Sequence, residues 1–406
     1  MEGYAFDGVN NFRMDDFNAL DAAQRLIDEL QKEYDRMTTI NIVVAGKTGS
    51  GKSTLINNVF REKMAETGTG IPITQEINKI EKEGFPLRIY DTPGLELGGQ
   101  NSTETLVGEI QDRIEKSIQS EDPNQVIHCV WYCINTQSSR IEQTEMDFIK
   151  TLVNKTKNYN VPVIIILTQA YPKKKVAAMR EAIREAIQDT YLPVHEIVPV
   201  LAEDVEMDDD YIIKAYGLDK LVEVINYVLP TRVKDTFVAI QTASLDLKKK
   251  KAQQIVKLAA AAAAITGAVP IPFSDAAILV PTQISMLVKI TSSFGLSVEK
   301  AAMVGVISAT IGTTGTTILG KSAVSNLLKF IPGAGTVIGG AISGATAAAL
   351  TASLGEAYIA IMIKVTKGEM EISDLATSKG QMELKNEFER QMKVKRDENG
   401  EALEKQ

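Results

Sequence analysis

The 406-residue chain is poor in cysteine, histidine and aromatic side chains, with two cysteines, two histidines, one tryptophan and 6% aromatic residues. Cys129 and Cys133 are an i, i+4 pair in one apolar, strand-like run, too far apart along a strand for a disulfide. Buried thiols in a reducing compartment are expected. Two cysteines and two histidines spread this way give no metal framework. His128 and His195 each flank an apolar run and read as structural. Neither charge dominates: the net charge is −8 and 24% of residues are charged. That mild acidity argues against non-specific binding to nucleic acid, so no nucleic-acid partner is expected. The acidic first 37 residues contain no apolar core segment, so no signal peptide is expected and a cytoplasmic location follows. The long uncharged runs all lie downstream, in a chain long enough for two domains.

Residues 1–37 carry a stripe of Leu20, Ala23, Ile27, Leu30, Tyr34 and Met37 at steps of three and four, which predicts an amphipathic helix. The stripe lasts under three heptads, so packing on its own protein is favoured over a coiled-coil partner. Residues 38–230 then alternate strand and helix signals. Apolar runs at 40–46, 87–94, 126–134, 161–168 and 196–202 predict buried strands, with one more near 77–81. Helical patterns follow at 52–60, 141–153, 175–188 and 217–229. Near-continuous apolar strands between helices predict an α/β fold with a mostly parallel, Rossmann-like sheet covered on both faces. Pro230 is expected to close that domain. Residues 231–366 predict an all-α hydrophobic domain, and residues 367–406 a charged tail, solvated or partly disordered.

The segment GKTGSGKST, residues 46–54, fits the phosphate-loop pattern and lies between a strand and a helix, as that pattern requires. Gly46, Lys47, Thr48, Gly49, Ser50, Gly51, Lys52, Ser53 and Thr54 are therefore the candidate phosphate-binding residues. A side-chain-poor loop lets backbone N–H groups point at phosphate oxygens, and the helix adds its positive end. Lys52 supplies a full charge at the β- and γ-phosphates, and the Ser53 hydroxyl is a Mg²⁺ ligand. DTPG, residues 91–94, ends the next strong strand; Asp91 can hold Mg²⁺ through a water and the Gly94 N–H can sense a γ-phosphate. In the turn-rich segment between, Thr74 is chosen to complete Mg²⁺ coordination because an apolar strand starts just after it. Thr67 and Thr69 are the alternatives.

In this order, residues 46–53, Thr74 and 91–94 resemble the Era-like and septin-like P-loop GTPases, and the loop sequence looks especially like that of the AIG1/Toc-type members. The resemblance, over about residues 38–230, implies GTP and GDP as ligands with Mg²⁺, GTP hydrolysis, and a homodimer across the nucleotide face. From about Lys248 to Val365 the chain resembles the hydrophobic YcjF-type domain found fused to such GTPase domains.

Two departures matter. Gly94 is followed by Leu95, where an efficient enzyme of this kind carries a water-orienting Gln, so hydrolysis is expected to be slow alone and to depend on a partner or dimer. The base-reading motif should end in an acid, but here it runs Thr168, Gln169, Ala170, Tyr171. A carboxylate accepts both guanine donors at once; one tyrosine hydroxyl cannot. Thr168 and Gln169 can still line the base pocket. Leu201 and Ala202 stand at the family's second base-contacting loop, with Glu203 or Asp204 the nearest carboxylate. A real but reduced preference for GTP over ATP follows.

In the hydrophobic domain, the uncharged runs at 301–320 and 330–355 reach the length of about 30 Å needed to cross a bilayer. Their Ala, Gly and Thr content suits close helix packing, with Gly335/Gly339 and Gly340/Gly344 on a ridge. Lys248–Lys251 could meet anionic headgroups. Membrane association through lipid is the favoured expectation, and a soluble bundle with a tight Ala/Gly core is the alternative.

Overall fold

The computed structural model describes residues 19–60, 78–82, 85–92, 103–138, 141–188, 194–208, 211–266, 275–296 and 344–404. It forms two compact units: Met37–Leu245, and Asp246–Gln406 together with the segment up to Arg36. Helix α1 (Ala19–Asp35) therefore groups with the second unit, where Leu30 is buried and the Tyr34 hydroxyl donates to the Leu296 carbonyl at 3.2 Å.

The first unit is built on strands β1 (Ile40–Gly46), β2 (Asn78–Lys82), β3 (Phe85–Asp91), β4 (Ile127–Asn135), β5 (Val163–Thr168) and β6 (Val194–Pro199). They form one sheet in the order β2-β3-β1-β4-β5-β6, parallel except for the antiparallel edge pair β2–β3. Every residue of β1 and of β5 is buried, as expected of strands covered on both faces. The helices are α2 (Lys52–Val59), α3 (Thr103–Gln119), α4 (Gln143–Lys157), α5 (Lys173–Gln188), α6 (Leu218–Val228) and α7 (Thr231–Ile240). On one face, Val43, Tyr132 and Ile165 pack with Ile110 of α3, Ile149 of α4 and Ile183 of α5. On the other, Trp131 stacks on Phe60 with ring centroids 5.9 Å apart, and Phe237 of α7 meets Phe60 edge-on at 6.4 Å.

Three features depart from the sequence expectation. Helix α3 is absent from the sequence patterns above, although Leu106, Val107, Ile110 and Ile114 give it a buried stripe. The acid-rich stretch after β6 forms a hairpin of β7 (Val205–Asp208) and β8 (Tyr211–Ile213). And the unit does not stop at Pro230, which instead caps the start of α7. The Thr242 N–H donates to the Val59 carbonyl at 2.9 Å, and Phe60 forms a β-bridge with Gln241, so the chain as far as Leu245 belongs to the sheet unit.

The second unit contains α8 (Leu245–Thr266), α9 (Asp275–Phe294), α10 (Gly344–Thr366), a short 3₁₀ helix (Ile372–Ala376) and α11 (Ser378–Glu404). Its helices meet through small and polar residues. A Cβ on Gly355 of α10 would lie 2.4 Å from Val256 Cγ2 and 3.0 Å from the Met286 sulfur, so glycine is what permits the approach. The Tyr358 and Thr291 hydroxyls pair at 2.7 Å in the core, and burial pushes the Tyr358 phenol up to about 12. Lys248 does not face outward as the lysine run suggested: it is 2% exposed, and its Nζ donates to the Ser293 and Phe294 carbonyls at 3.3 and 3.2 Å. A cation on the last carbonyls of α9 satisfies acceptors that the helix itself leaves open. The start of the charged tail is also packed, with Leu384 and Phe388 of α11 buried and Lys364 paired to Glu383 at 2.5 Å. Among the described residues one helix, Gly344–Thr366, is long and apolar enough to cross a membrane, and most of its apolar stretch is buried within the protein. The run at 301–320, most of that at 330–355 and the glycine ridge before Gly344 lie outside the described residues.

Candidate nucleotide-binding site

The loop from Gly46 to Ser53 turns the chain from the end of β1 into α2. Gly46 adopts φ 147°, and a Cβ there would sit 2.3 Å from the Cys133 carbonyl of β4. Gly51, at φ 78°, caps α2, whose first hydrogen bond runs from the Leu55 N–H to the Gly51 carbonyl at 3.0 Å. Within the loop the Ser50 N–H donates to the Lys47 carbonyl at 3.1 Å. Thr48 and Gly49 form the exposed rim, and Thr54 lies in the first turn of α2 with its carbonyl held by Asn58.

Lys52 folds back over this loop, its Nζ 3.1 Å from the Gly46 carbonyl and 3.4 Å from that of Lys47. These partners are neutral, so a phosphate oxygen at the same place would be a stronger acceptor. Lys47 points the other way, to Glu145 at 3.0 Å and Glu142 at 3.3 Å on and beside α4. The Glu145 carboxylate is 4% exposed and also accepts from the Tyr132 hydroxyl at 3.3 Å. Partial burial draws the Lys47 pKa down, but the bonds and charges of Glu145 and Glu142 outweigh it and leave it raised.

Asp91 ends β3 beside β1, in register with Val44. Burial raises its pKa, and the nearby Lys52 charge only partly opposes this. Its Oδ1 is buried without a hydrogen-bond partner among the described residues, as are Ser50 Oγ and Thr92 Oγ1. Orphaned polar atoms are rare in folded proteins and mark places where a ligand or ion completes the shell. A carboxylate beside a phosphate loop that also carries the Ser53 hydroxyl is a hard-oxygen donor set that fits Mg²⁺. Thr74 and Gly94, and the alternatives Thr67 and Thr69, lie outside the described residues. Cys133 beneath the loop is inert, its thiol pushed up to about 12 by burial.

Thr168, at the end of β5, donates its hydroxyl to the Ser50 carbonyl at 2.6 Å and lies 3.1 Å from that of Ile134. The base-side loop is thereby stapled to the phosphate loop. Gln169 follows with φ 48°, an uncommon conformation for a residue bearing a Cβ. The second loop is tied in as well: the Ala170 N–H donates to the Val200 carbonyl at 3.2 Å, and the Tyr216 hydroxyl to the Ala170 carbonyl at 2.5 Å. Leu201 is buried in a bridge with Tyr216, and Ala202 lies beside it. The two acids considered as base acceptors have protein partners. Asp204 holds Lys214 Nζ and the Ala215 N–H, both at 2.8 Å, and Glu203 accepts from Asn58 at 3.1 Å.

Residues 36–219 match the family model described as Septin. They are a septin-type P-loop GTPase domain. The following residues 232–381 match the domain of unknown function DUF697, consistent with the YcjF-type resemblance. Human Septin-12 is 27% identical over 210 residues, covering 46% of this chain and 56% of that protein. Septin-9 of Rattus norvegicus is 33% identical over 146 residues, covering 30% of this chain and 26% of that protein. The septin-type domain thus spans about half the length of Septin-12. Among solved structures, a variant of Aquifex aeolicus Era bound to GDP·AlF₄⁻ matches with TM-score 0.33 and 21% identity, covering 56% of this chain and 68% of that one. Toc33 of Arabidopsis thaliana with GDP and Mg²⁺ matches with TM-score 0.33 and 16% identity, covering 54% and 95%. The DUF697 match begins inside α7, a helix that packs with the septin-type domain.

Four residues that sequence reasoning missed support the candidate site. Asn135 donates to the Gly49 carbonyl at 3.3 Å, Glu145 anchors Lys47, and Thr136 and Gln137 contact the Gln169 carbonyl. The only signal for three of them is their position at or just past the end of an apolar strand, at the edge where α/β sheets gather ligands.

Proposed function

We propose that this chain is a GTP-binding switch: its septin-type domain binds Mg²⁺·GTP and hydrolyses it slowly, and the bound nucleotide biases the helical unit. The observation that carries the reading is Lys52, folded into a glycine-shaped loop beside an Asp91 carboxylate with a buried, unpartnered oxygen. In this reading Lys52 meets the β- and γ-phosphates, the loop N–H groups cradle them, and Ser53, Asp91 and Thr74 hold Mg²⁺. Bound Mg²⁺ neutralises charge that develops on the phosphates. Leu95 supplies no amide to orient water, so turnover depends on a second copy or another partner across the nucleotide face. Single-turnover hydrolysis measured against protein concentration tests this: the rate should rise with concentration, and a fast, concentration-independent rate refutes it.

Coupling to the helical unit is supported by the far end of α2. Phe60 closes the phosphate-loop helix and packs between Trp131 and Phe237, while Val59 accepts from Thr242 in the segment that leads into α8. A shift of α2 on nucleotide exchange therefore reaches the connector through direct contacts. Contact of the helical unit with lipid rests on the length and apolarity of α10. Carbonate extraction tests that part: release into the soluble fraction without detergent counts against it.

A further inference from the structure

The stretch Thr168–Tyr171 stands where the base should be read, yet it contains no acid, and its shape is held from outside. The Thr136 hydroxyl donates to the Gln169 carbonyl at 2.5 Å. The Gln137 side-chain amide uses both of its hydrogens there, donating to the Gln169 carbonyl at 2.8 Å and to the Tyr171 carbonyl at 2.5 Å. The Thr136 N–H meets the Thr168 carbonyl at 3.1 Å. Gln137 is itself fixed: its N–H donates to Asn135 Oδ1 at 2.8 Å, and its carbonyl accepts from Lys175 at 3.3 Å. Since these bonds run to carbonyl oxygens, the amide orientation of Gln137 is determined. They also hold Gln169 in its positive-φ conformation, which persists only where surrounding contacts impose it.

We infer that Thr136 and Gln137 form a clamp that positions the base-side loop and sets the preference for guanine over adenine. This rests on the nucleotide-binding reading above. A site with a bidentate carboxylate discriminates through one strong contact and tolerates small displacements. Without that acid, discrimination depends on where the Gln169 stem and the neighbouring loop at Leu201–Ala202 sit against the ring edge. Weak contacts of that kind are lost when the loop moves. The clamp touches the loop only through its carbonyls, so Thr136 and Gln137 are positioning residues rather than base ligands.

The test uses the full chain with Mg²⁺ and measures competitive binding of GTP and ATP. Both nucleotides share the phosphate site, so the ratio of their affinities isolates the base. Gln137→Ala and Thr136→Val should each lower the GTP-to-ATP affinity ratio by about tenfold while changing ATP affinity by less than about threefold. Thr136→Ser keeps the donor and should retain the wild-type ratio. Gln137→Met keeps the length without the donor and should behave like Gln137→Ala. An unchanged ratio in Gln137→Ala and Thr136→Val, in a protein whose wild type prefers GTP, overturns the clamp and leaves the GTP reading standing. A parallel loss of both affinities with a lowered melting temperature makes the pair merely structural and also overturns it. A wild type that binds neither nucleotide overturns both readings together.

Discussion

The sheet unit and the helical unit solve packing in opposite ways. The first buries whole strands of Val and Ile and adds polar contacts at one edge, where Lys52, Thr168 and Asp91 gather. The second brings helices together over Gly355 and alanines, and buries hydroxyl and lysine groups inside its core. Strand cores make a rigid platform, so side chains at their ends can be aimed at a ligand. Small-residue helix contacts allow close approach with few strong anchors. The contrast fits the proposal above, with nucleotide chemistry in the first unit and response in the second.

The largest effect should follow from Lys52→Ala, which removes the charge directed at the phosphates. Mg²⁺·GTP affinity should fall about a thousandfold, or ~4 kcal/mol, in equilibrium binding, with the circular dichroism spectrum unchanged. Retained affinity would deny the sheet unit its assigned role.

A second effect separates the units by pH. His128 is 3% exposed, and its pKa is lowered to about 4, first by burial and then by the Arg232 charge. A histidine depressed when folded binds fewer protons than when unfolded, so stability is complete above its ordinary value of about 6.5 and is lost as pH falls toward 4. The loss should reach about 3 kcal/mol. Both histidines precede Asp246, so the helical unit lacks this response. Denaturant titration with the single Trp131 as reporter should show the pH dependence, and His128→Gln should flatten it.

Gly355→Val reverses the emphasis. The added side chain would strike Val256 and Met286, costing about 2 kcal/mol in the helical unit. Differential scanning calorimetry should show that loss, while nucleotide affinity holds. The smallest effect is Tyr358→Phe: Thr291 keeps its bond to the Leu287 carbonyl, so about 1 kcal/mol is lost. A larger loss would mean that buried polar pairs matter more to the helical unit than its close approaches do.

The sheet was legible because apolar strands at 40–46, 126–134 and 161–168 leave no other way to bury their residues. The phosphate loop was legible because its glycines and Lys52 are adjacent in sequence. The hairpin of β7 and β8 was not, because Met207, Tyr211 and Ile212 are exposed and impose no alternation. Pro230 reads as a stop, but fixed φ also suits a helix start, and only the packing of Phe237 reveals α7. Thr136 and Gln137 were invisible because their contacts cross from one strand end to the next. Lys248 misled because a lysine run gives no sign that its first member will turn inward to the end of α9.

The most direct test of the account is calorimetric titration of the nucleotide-free full chain with Mg²⁺·GTP and Mg²⁺·ATP. A working phosphate loop with the base-side loop described above should give saturable one-to-one binding of GTP, weaker binding of ATP, and loss of both in Lys52→Ala. Equal affinity for the two nucleotides, or no binding of either, would contradict it.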